Sequence, residues 1–185
     1  APGETIASIP ATCVMSVGRS AASAVGVACN ALETPPSPEY VLWLDMALGR
    51  RDESHEFYTY LAALPRDAPD VASWTSKMLA SLAGTDVGAA AADANEVLAV
   101  EHERVQAALL DATHKVPLAE IRWARGCYLS RRFPPRLLDA EAPSAGAPGV
   151  LLPFFDLLNH GKGTEIEWRG DGKSVAFAAG ADGIE

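Results

Sequence analysis

The sequence is helix-forming in its middle and strand-like at both ends, and this arrangement limits the folds it can adopt. Near the N-terminus, Ala1–Pro10 places apolar residues before a proline stop and predicts a short strand. Near the other end, 164–168 alternates apolar and polar residues, 169–172 predicts a turn, and 174–178 predicts the returning strand. We therefore predict an α+β fold in which a long α-helical insertion interrupts a partial β-fold.

The helical block begins with a clear start signal. Ser37 offers a capping hydroxyl, Pro38 suits the first turn, and Glu39 lies at the positive end of the helix dipole. Residues 40–48 are apolar nearly all round, which predicts burial on most faces. The further helix candidates run from Ser54 to Pro65, from Ser73 to Gly84, from about Gly88 to Lys115, and from Leu118 to Ser130.

The longest candidate helix carries an apolar face. Its members recur at spacings of three, four and seven, and they are Val97, Leu98, Val105, Leu109 and Ala112. On the same helix, His102 is followed by Glu103 in a pattern typical of helical zinc proteases, but Gln106 stands where the second histidine is needed. We predict that His102 is a solvated helix residue and that the chain has no metal site.

Composition restricts the class of protein. The 185 residues suit a single domain, 49% are hydrophobic, and the net charge of -9 argues against nucleic acid as the main partner. No apolar run is long enough for a membrane span, and we predict no membrane partner. Cys13, Cys29 and Cys127 match neither a disulfide framework nor a zinc spacing, which indicates a reducing, intracellular compartment; cytoplasm, nucleus and plastid are not distinguished.

The most informative short segment is Leu151–His160, an apolar run that contains Asp156 and ends in Asn159 and His160. Polar groups at the edge of a buried segment need partners, and a ligand can supply them. The same residues, followed by Gly161, are also typical of an ordinary turn. On its own, this segment leaves both interpretations open.

Several segments together resemble the SET-domain methyltransferases of the Rubisco large-subunit methyltransferase type, whose SET fold carries a helical insertion. The matches follow the family's order, and they are Gly3–Pro10, Phe57–Pro65, Leu82–Thr85, Trp123–Ala124 with Ser130–Phe133, and Pro153–His160, the last resembling Pro-x-x-Asp-x-x-Asn-His. The resemblance implies one partial SET domain, with N-terminal SET strands in 1–34, the insertion in 35–133, and C-terminal SET strands with the Asn-His motif in 134–185.

The resemblance also implies S-adenosylmethionine-dependent methylation of a protein side chain, usually a lysine amine and in some relatives a histidine imidazole. The cofactor-binding residues it implies are Arg131, Asp156, Leu157, Leu158, Asn159 and His160. Those it implies at the substrate are Arg131, Arg136 and Asp156. An amide and an imidazole suit a neutral purine edge, and the fork of an arginine suits a carboxylate.

The family's glycine-containing cofactor loop and its tyrosine motif match nothing in the sequence, so no catalytic residue is assigned. The sequence begins in a predicted strand with no lead-in and ends directly after another predicted strand, and we expect a piece of a longer domain that is inactive alone. The alternative is a non-catalytic, SET-derived module that binds a protein partner through the insertion. A thiol hydrolase using Cys127 or Cys13 with His160 is disfavoured, since neither cysteine follows a glycine-rich turn or opens a helix.

Overall fold

The computed structural model describes residues 3–68, 70–71, 74–142, 146–158 and 165–180. The chain divides into two compact units. The strand unit comprises 1–16 and 132–185, and the helical unit comprises 17–131. The mixture of a small sheet with many helices confirms the predicted α+β class.

The strand unit is built on a three-stranded antiparallel sheet. Its strands are β1 (Thr5–Pro10), β2 (Ile166–Gly170) and β3 (Ser174–Ala179), in the order β1-β3-β2. β2 and β3 form the predicted hairpin, with Trp168 opposite Phe177. At its turn Gly172 has a φ of 76°, and one Asp171 carboxylate oxygen accepts from the backbone N–H groups of Lys173 and Ser174.

An aromatic cluster forms the core of the strand unit. The Trp168 ring lies 4.9 Å from Phe133, 5.6 Å from Phe155 and 5.2 Å from Phe177, measured between ring centroids. These tilted and edge-on contacts are the arrangements that aromatic rings prefer. Val14, Val150, Leu152 and Val175 complete the buried cluster.

The described residues between 17 and 131 form the α-helices of the helical unit. They are α1 (Val17–Ala22), α2 (Ala24–Asn30), α3 (Pro38–Gly49), α4 (Tyr58–Ala63), α5 (Ser76–Ala80), α6 (Asp86–Ala108) and α7 (Leu118–Arg131). The predicted start of α3 is confirmed, because the Ser37 hydroxyl accepts from the Tyr40 N–H at 3.3 Å. Its predicted burial is confirmed too, since eight of its twelve residues are buried. No helix in the described part of the chain is long and apolar enough to cross a membrane.

Residues 17–34 contain α1 and α2 and group with the helical unit. Ser23 caps α2 by accepting from the Gly26 N–H. The segment assigned to N-terminal SET strands therefore contains β1 followed by these two helices. The domain division at residues 34 and 133 stays a prediction.

Two helices begin at other residues than the sequence predicts. Ser54 does not begin a helix, because the Asp52 carboxylate accepts from both the N–H and the hydroxyl of Ser54 and closes a local turn. The helix starts at Tyr58 instead. Thr75 caps the next helix, α5, which ends at Ala80 and not at Gly84; the predicted cap, Ser73, lies outside the described residues.

The longest helix is shifted toward the N-terminus. Thr85 caps it, and it ends at Ala108, short of the predicted Lys115. The reason is a competing local structure, because the Asp111 side chain accepts from the Thr113 N–H and caps a short 3₁₀ helix. Val97, predicted on the buried face, is 68% exposed. It precedes buried Leu98, and a helix turns about 100° between neighbouring residues, so the two face different directions.

Candidate functional site

The segment that enters the candidate site is held at its start by two isolated antiparallel bridges. Leu151 exchanges backbone hydrogen bonds with Met15 at 2.9 and 3.1 Å. Val150 does the same with Phe133 at 3.0 and 2.8 Å. Val150, Leu151 and Leu152 are at most 4% exposed. The apolar run is therefore a buried and hydrogen-bonded support for the residues that follow.

The backbone changes direction at Phe154, which has a φ of 78° although it is not glycine. A bulky side chain is strained in this left-handed region. Phe154 is 54% exposed, whereas the next residue, Phe155, is 3% exposed and packs into the aromatic cluster. A short 3₁₀ helix, Phe155–Leu157, follows. One phenylalanine thus anchors the segment and the other projects from it.

Asp156 lies in this 3₁₀ helix and is half-buried. Its backbone N–H donates to the Leu152 carbonyl at 3.2 Å, which ties the backbone of Asp156 to the buried run. Leu157 is 46% exposed and Leu158 is 38% exposed. Phe154, Leu157 and Leu158 are thus exposed apolar residues that flank half-buried Asp156 in the sequence. Asn159 and His160 lie outside the described residues, and their roles stay predictions.

The two candidate arginines belong to different units. Arg131 is the last residue of α7, where a cation is favoured by the helix dipole, and it is half-buried. Arg136 is exposed and lies in the 3₁₀ helix Pro135–Leu137 of the strand unit. The contribution of both arginines to a common cofactor and substrate pocket stays a prediction.

A buried polar network in the helical unit was not predicted. The Ser20 hydroxyl donates to Asp45 Oδ2 at 2.8 Å, and His55 Nε2 lies 3.5 Å from Asp45 Oδ1. In the neutral ring, His55 Nδ1 accepts from the Phe57 N–H at 3.2 Å, so Nε2 carries the proton. The hydrogen bond to Asp45 raises the pKa of His55, against the opposing effect of burial.

This network contains a serine, an aspartate and a histidine, but it is not a hydrolase triad. Asp45 stands between Ser20 and His55, so the hydroxyl is held by a carboxylate and not by a base that could remove its proton. Its geometry indicates a structural role. The sequence signal for it was Asp45 itself, since a carboxylate in an otherwise apolar helix must find donors.

The prediction that His102 is solvated is wrong. The residue is 9% exposed, and its Nδ1 lies 2.9 Å from the Tyr40 hydroxyl. Tyr40 is fully buried in α3, so this hydrogen bond joins α3 to α6. Burial lowers the pKa of His102, with a further contribution from Arg122. The periodicity places His102 beside Leu98 and Val105 on the buried face, and that signal outweighed its polarity.

The cysteines of the described chain show no nucleophile site. Cys29 and Cys127 are buried, and burial raises the pKa of the Cys29 thiol to about 11. Cys13 is exposed at the end of a 3₁₀ helix, Ala11–Cys13. Among the described residues, no three His, Cys, Asp or Glu side chains are grouped so that they could hold a metal ion.

No protein-family model matches the sequence, and no curated protein matches it. Thirteen chains of solved structures do match. The SET domain of LSMT bound to lysine and AdoHcy matches with a TM-score of 0.76 and 20% identity, over 97% of this chain and 41% of that one. The SET domain of LSMT bound to MeLysine and AdoHcy matches with a TM-score of 0.78 and 20% identity, over 98% of this chain and 42% of that one. Rubisco LSMT bound to AdoMet matches with a TM-score of 0.75 and 20% identity, over 96% of this chain and 40% of that one.

At this level of identity the likeness concerns the fold. The chain spans about two fifths of the length of the solved chains that it matches, and almost all of its own residues are covered. The resemblance read from the sequence is thereby confirmed: the chain has the SET-domain fold of the LSMT type.

Proposed function

We propose that the protein carrying this chain is an S-adenosylmethionine-dependent protein methyltransferase that acts on the side-chain amine of lysine. The observation that carries the proposal is the SET-type fold, which extends over nearly the whole chain. The solved structures that share this fold are bound to AdoMet, AdoHcy, lysine or methyllysine. Lysine is preferred to histidine because those structures hold lysine and methyllysine.

The residues that follow the buried run fit such a cofactor in their chemistry. S-adenosylmethionine combines a flat, apolar purine face with a charged amino-acid end. Phe154, Leu157 and Leu158 are exposed apolar side chains, and half-buried Asp156 stands among them. A ligand that covered these side chains would remove apolar surface from water, at about 25 cal/mol per Å². We assign Asn159 and His160 to the adenine and amine ends of the cofactor, and Arg131 to its carboxylate.

When bound, S-adenosylmethionine would supply the methyl group of its sulfonium to a neutral substrate amine, with S-adenosylhomocysteine as the leaving group and no covalent enzyme intermediate. The contribution of the chain is therefore to position groups and exclude water. The buried bridges of Val150 and Leu151 hold the backbone that leads to Asp156. Asp156 and Arg136 are assigned to the substrate side.

The test is a calorimetric titration of S-adenosylmethionine into the complete protein and into Asn159→Ala/His160→Ala. We expect the double variant to lose binding while its circular dichroism stays that of wild type. Asn30→Ala removes an exposed asparagine of the helical unit and serves as a control that keeps full affinity. If the folded wild-type protein binds no cofactor, the non-catalytic, partner-binding module becomes the better explanation.

Two finer parts of the proposal have their own tests. Mass spectrometry of a methylated substrate distinguishes methyllysine from methylhistidine, and methylhistidine would contradict the lysine assignment. We also propose that the 185 residues alone do not turn over, because they span about two fifths of the proteins whose fold they share. Methylation catalysed by the isolated chain would refute that part.

A further inference from the structure

The long helix α6 leaves one row of apolar side chains uncovered. Its buried residues are Leu98, His102 and Val105, which form a narrow line against the rest of the helical unit. Val97 is 68% exposed and Val100 is 63% exposed. These two valines are three residues apart and therefore adjacent on the helix surface. The uncovered row is a feature of α6 itself and plays no part in the proposed cofactor site.

The two valines line a groove with side chains from two other helices. Trp43 of α3 and Arg125 of α7 form its other sides, and its volume is about 860 Å³. Binding sites for drug-sized ligands fall at about 300 to 1,000 Å³, so the groove can admit several side chains of a partner. All of its lining residues belong to the helical unit.

Acidic side chains surround the apolar floor. Asp93 and Glu96 are exposed and lie on the same helix as the valines. The Glu101 carboxylate also lines the groove, but it accepts from the N–H of Ser37 at 2.7 Å and from its hydroxyl at 3.1 Å. Asp93 and Glu96 are therefore the carboxylates available to face an incoming partner.

The cations of the groove are engaged by the protein itself. Arg125 Nη1 lies 2.5 Å from the Asp70 carboxylate, which neutralises it. Arg104 Nη1 donates to the Thr34 carbonyl at 2.5 Å. Arg104 keeps its charge, but the carboxylates of Asp93, Glu96 and Glu101 outnumber the two guanidinium groups, so the lining of the groove is net negative. A negative rim around an apolar floor selects a partner with apolar anchors flanked by lysine or arginine.

We propose that this groove binds a basic amphipathic segment of a protein partner. Apolar side chains of the segment contact Val97 and Val100, and its cations face Asp93 and Glu96. The spacing of the valines suits a helix or a short extended segment that lies along α6. The proposal concerns binding only and holds whether or not the protein transfers methyl groups.

The test uses the complete protein and a fluorescein-labelled peptide of fifteen leucines and lysines, with the leucines at helical spacing, in a polarisation titration. A second peptide has glutamate in place of every lysine. Val97→Ser/Val100→Ser is expected to weaken binding of the basic peptide by at least about tenfold, since it places hydroxyl groups where the peptide's apolar side chains make contact. Val87→Ser is the matched control, because Val87 is 58% exposed on the same helix but lies outside the groove.

A second variant, Asp93→Asn/Glu96→Gln, tests the charge of the rim without changing its shape. We expect weaker binding of the basic peptide and a flatter dependence of affinity on salt. The proposal is overturned if the wild-type protein binds neither peptide, if it binds both equally, or if Val87→Ser weakens binding as much as the groove variant. It is also overturned if Val97→Ser/Val100→Ser abolishes a self-association seen by sedimentation, because the occupant is then a second copy of the protein.

Discussion

Phe154 and Phe155 are neighbours in sequence, yet substituting them should change stability in opposite directions. Phe155 is 3% exposed, and its ring lies 5.6 Å from Trp168 and 5.8 Å from Phe177. Phe155→Ala removes those contacts and leaves a cavity, and buried Phe→Ala changes cost about 3 to 5 kcal/mol. We expect a value in the upper half of this range, because both aromatic pairs are lost with the ring.

Phe154→Gly should instead leave the free energy of unfolding unchanged or raise it. A φ of 78° strains a bulky residue by about 1 to 3 kcal/mol, and glycine adopts it freely. Two effects oppose the gain: glycine adds about 0.5 to 1 kcal/mol of unfolded-state entropy, and the half-exposed ring gives up its remaining contacts. The net change is expected between about 0 and 1.5 kcal/mol in favour of the variant.

The assay is urea unfolding followed by tryptophan fluorescence and circular dichroism, with free energies taken from midpoint and slope. Phe154→Ala is the control, since it removes the ring but keeps a side chain at the strained φ. We expect Phe154→Ala to be less stable than Phe154→Gly. The reasoning is refuted if Phe154→Gly destabilises the protein by more than about 1 kcal/mol, or if it is less stable than Phe154→Ala.

The polar networks of the helical unit give two further predictions. Asp45 raises the pKa of His55 above its ordinary 6.5. The stability that this pairing contributes to the folded protein is therefore fully present below pH 6.5 and is lost as pH rises through the folded-state pKa. In urea unfolding, we expect His55→Gln to lose more stability near pH 5.5 than near pH 9. Tyr40→Phe leaves buried His102 without the hydroxyl that pairs with its Nδ1, a loss of about 1 to 3 kcal/mol. Tyr40→Phe/His102→Leu should cost less than Tyr40→Phe alone, and an equal or greater cost would contradict this account.

The regular elements were predictable where local signals agreed with the tertiary structure. α3 has a cap, a first-turn proline and an apolar body, and all three indicate the same helix. The β2–β3 hairpin likewise combines alternation with a turn built on Asp171 and Gly172. These signals act within a few residues, so a single sequence contains them completely.

The errors arose where a side chain formed a competing local hydrogen bond or found a distant partner. Asp52 and Asp111 close turns with residues two positions ahead, and so delay one helix and shorten another. His102 is paired with Tyr40, 62 residues away in sequence. Periodicity alone assigns a residue to a face of a helix. It does not say whether a polar residue on that face has a partner.

The candidate site shows the same limit. The buried run before Asp156 could be predicted from the sequence, because its residues are uniformly apolar. The left-handed backbone at Phe154 was not, since phenylalanine is a poor signal for a positive φ. The roles of Asn159, His160 and Arg131 depend on the family resemblance and on the binding experiment.

The coincidence of backbone strain and apolar exposure at Phe154 supports the location of the proposed cofactor site. In the helical unit, the buried polar side chains of Ser20, Asp45 and His102 each have a partner within the protein, so packing alone accounts for them. In the strand unit, Phe154 keeps a strained backbone while its ring remains half in water. Neither strain nor apolar exposure stabilises the folded chain by itself, and such features concentrate where proteins contact ligands. Cofactor binding by this segment would account for both.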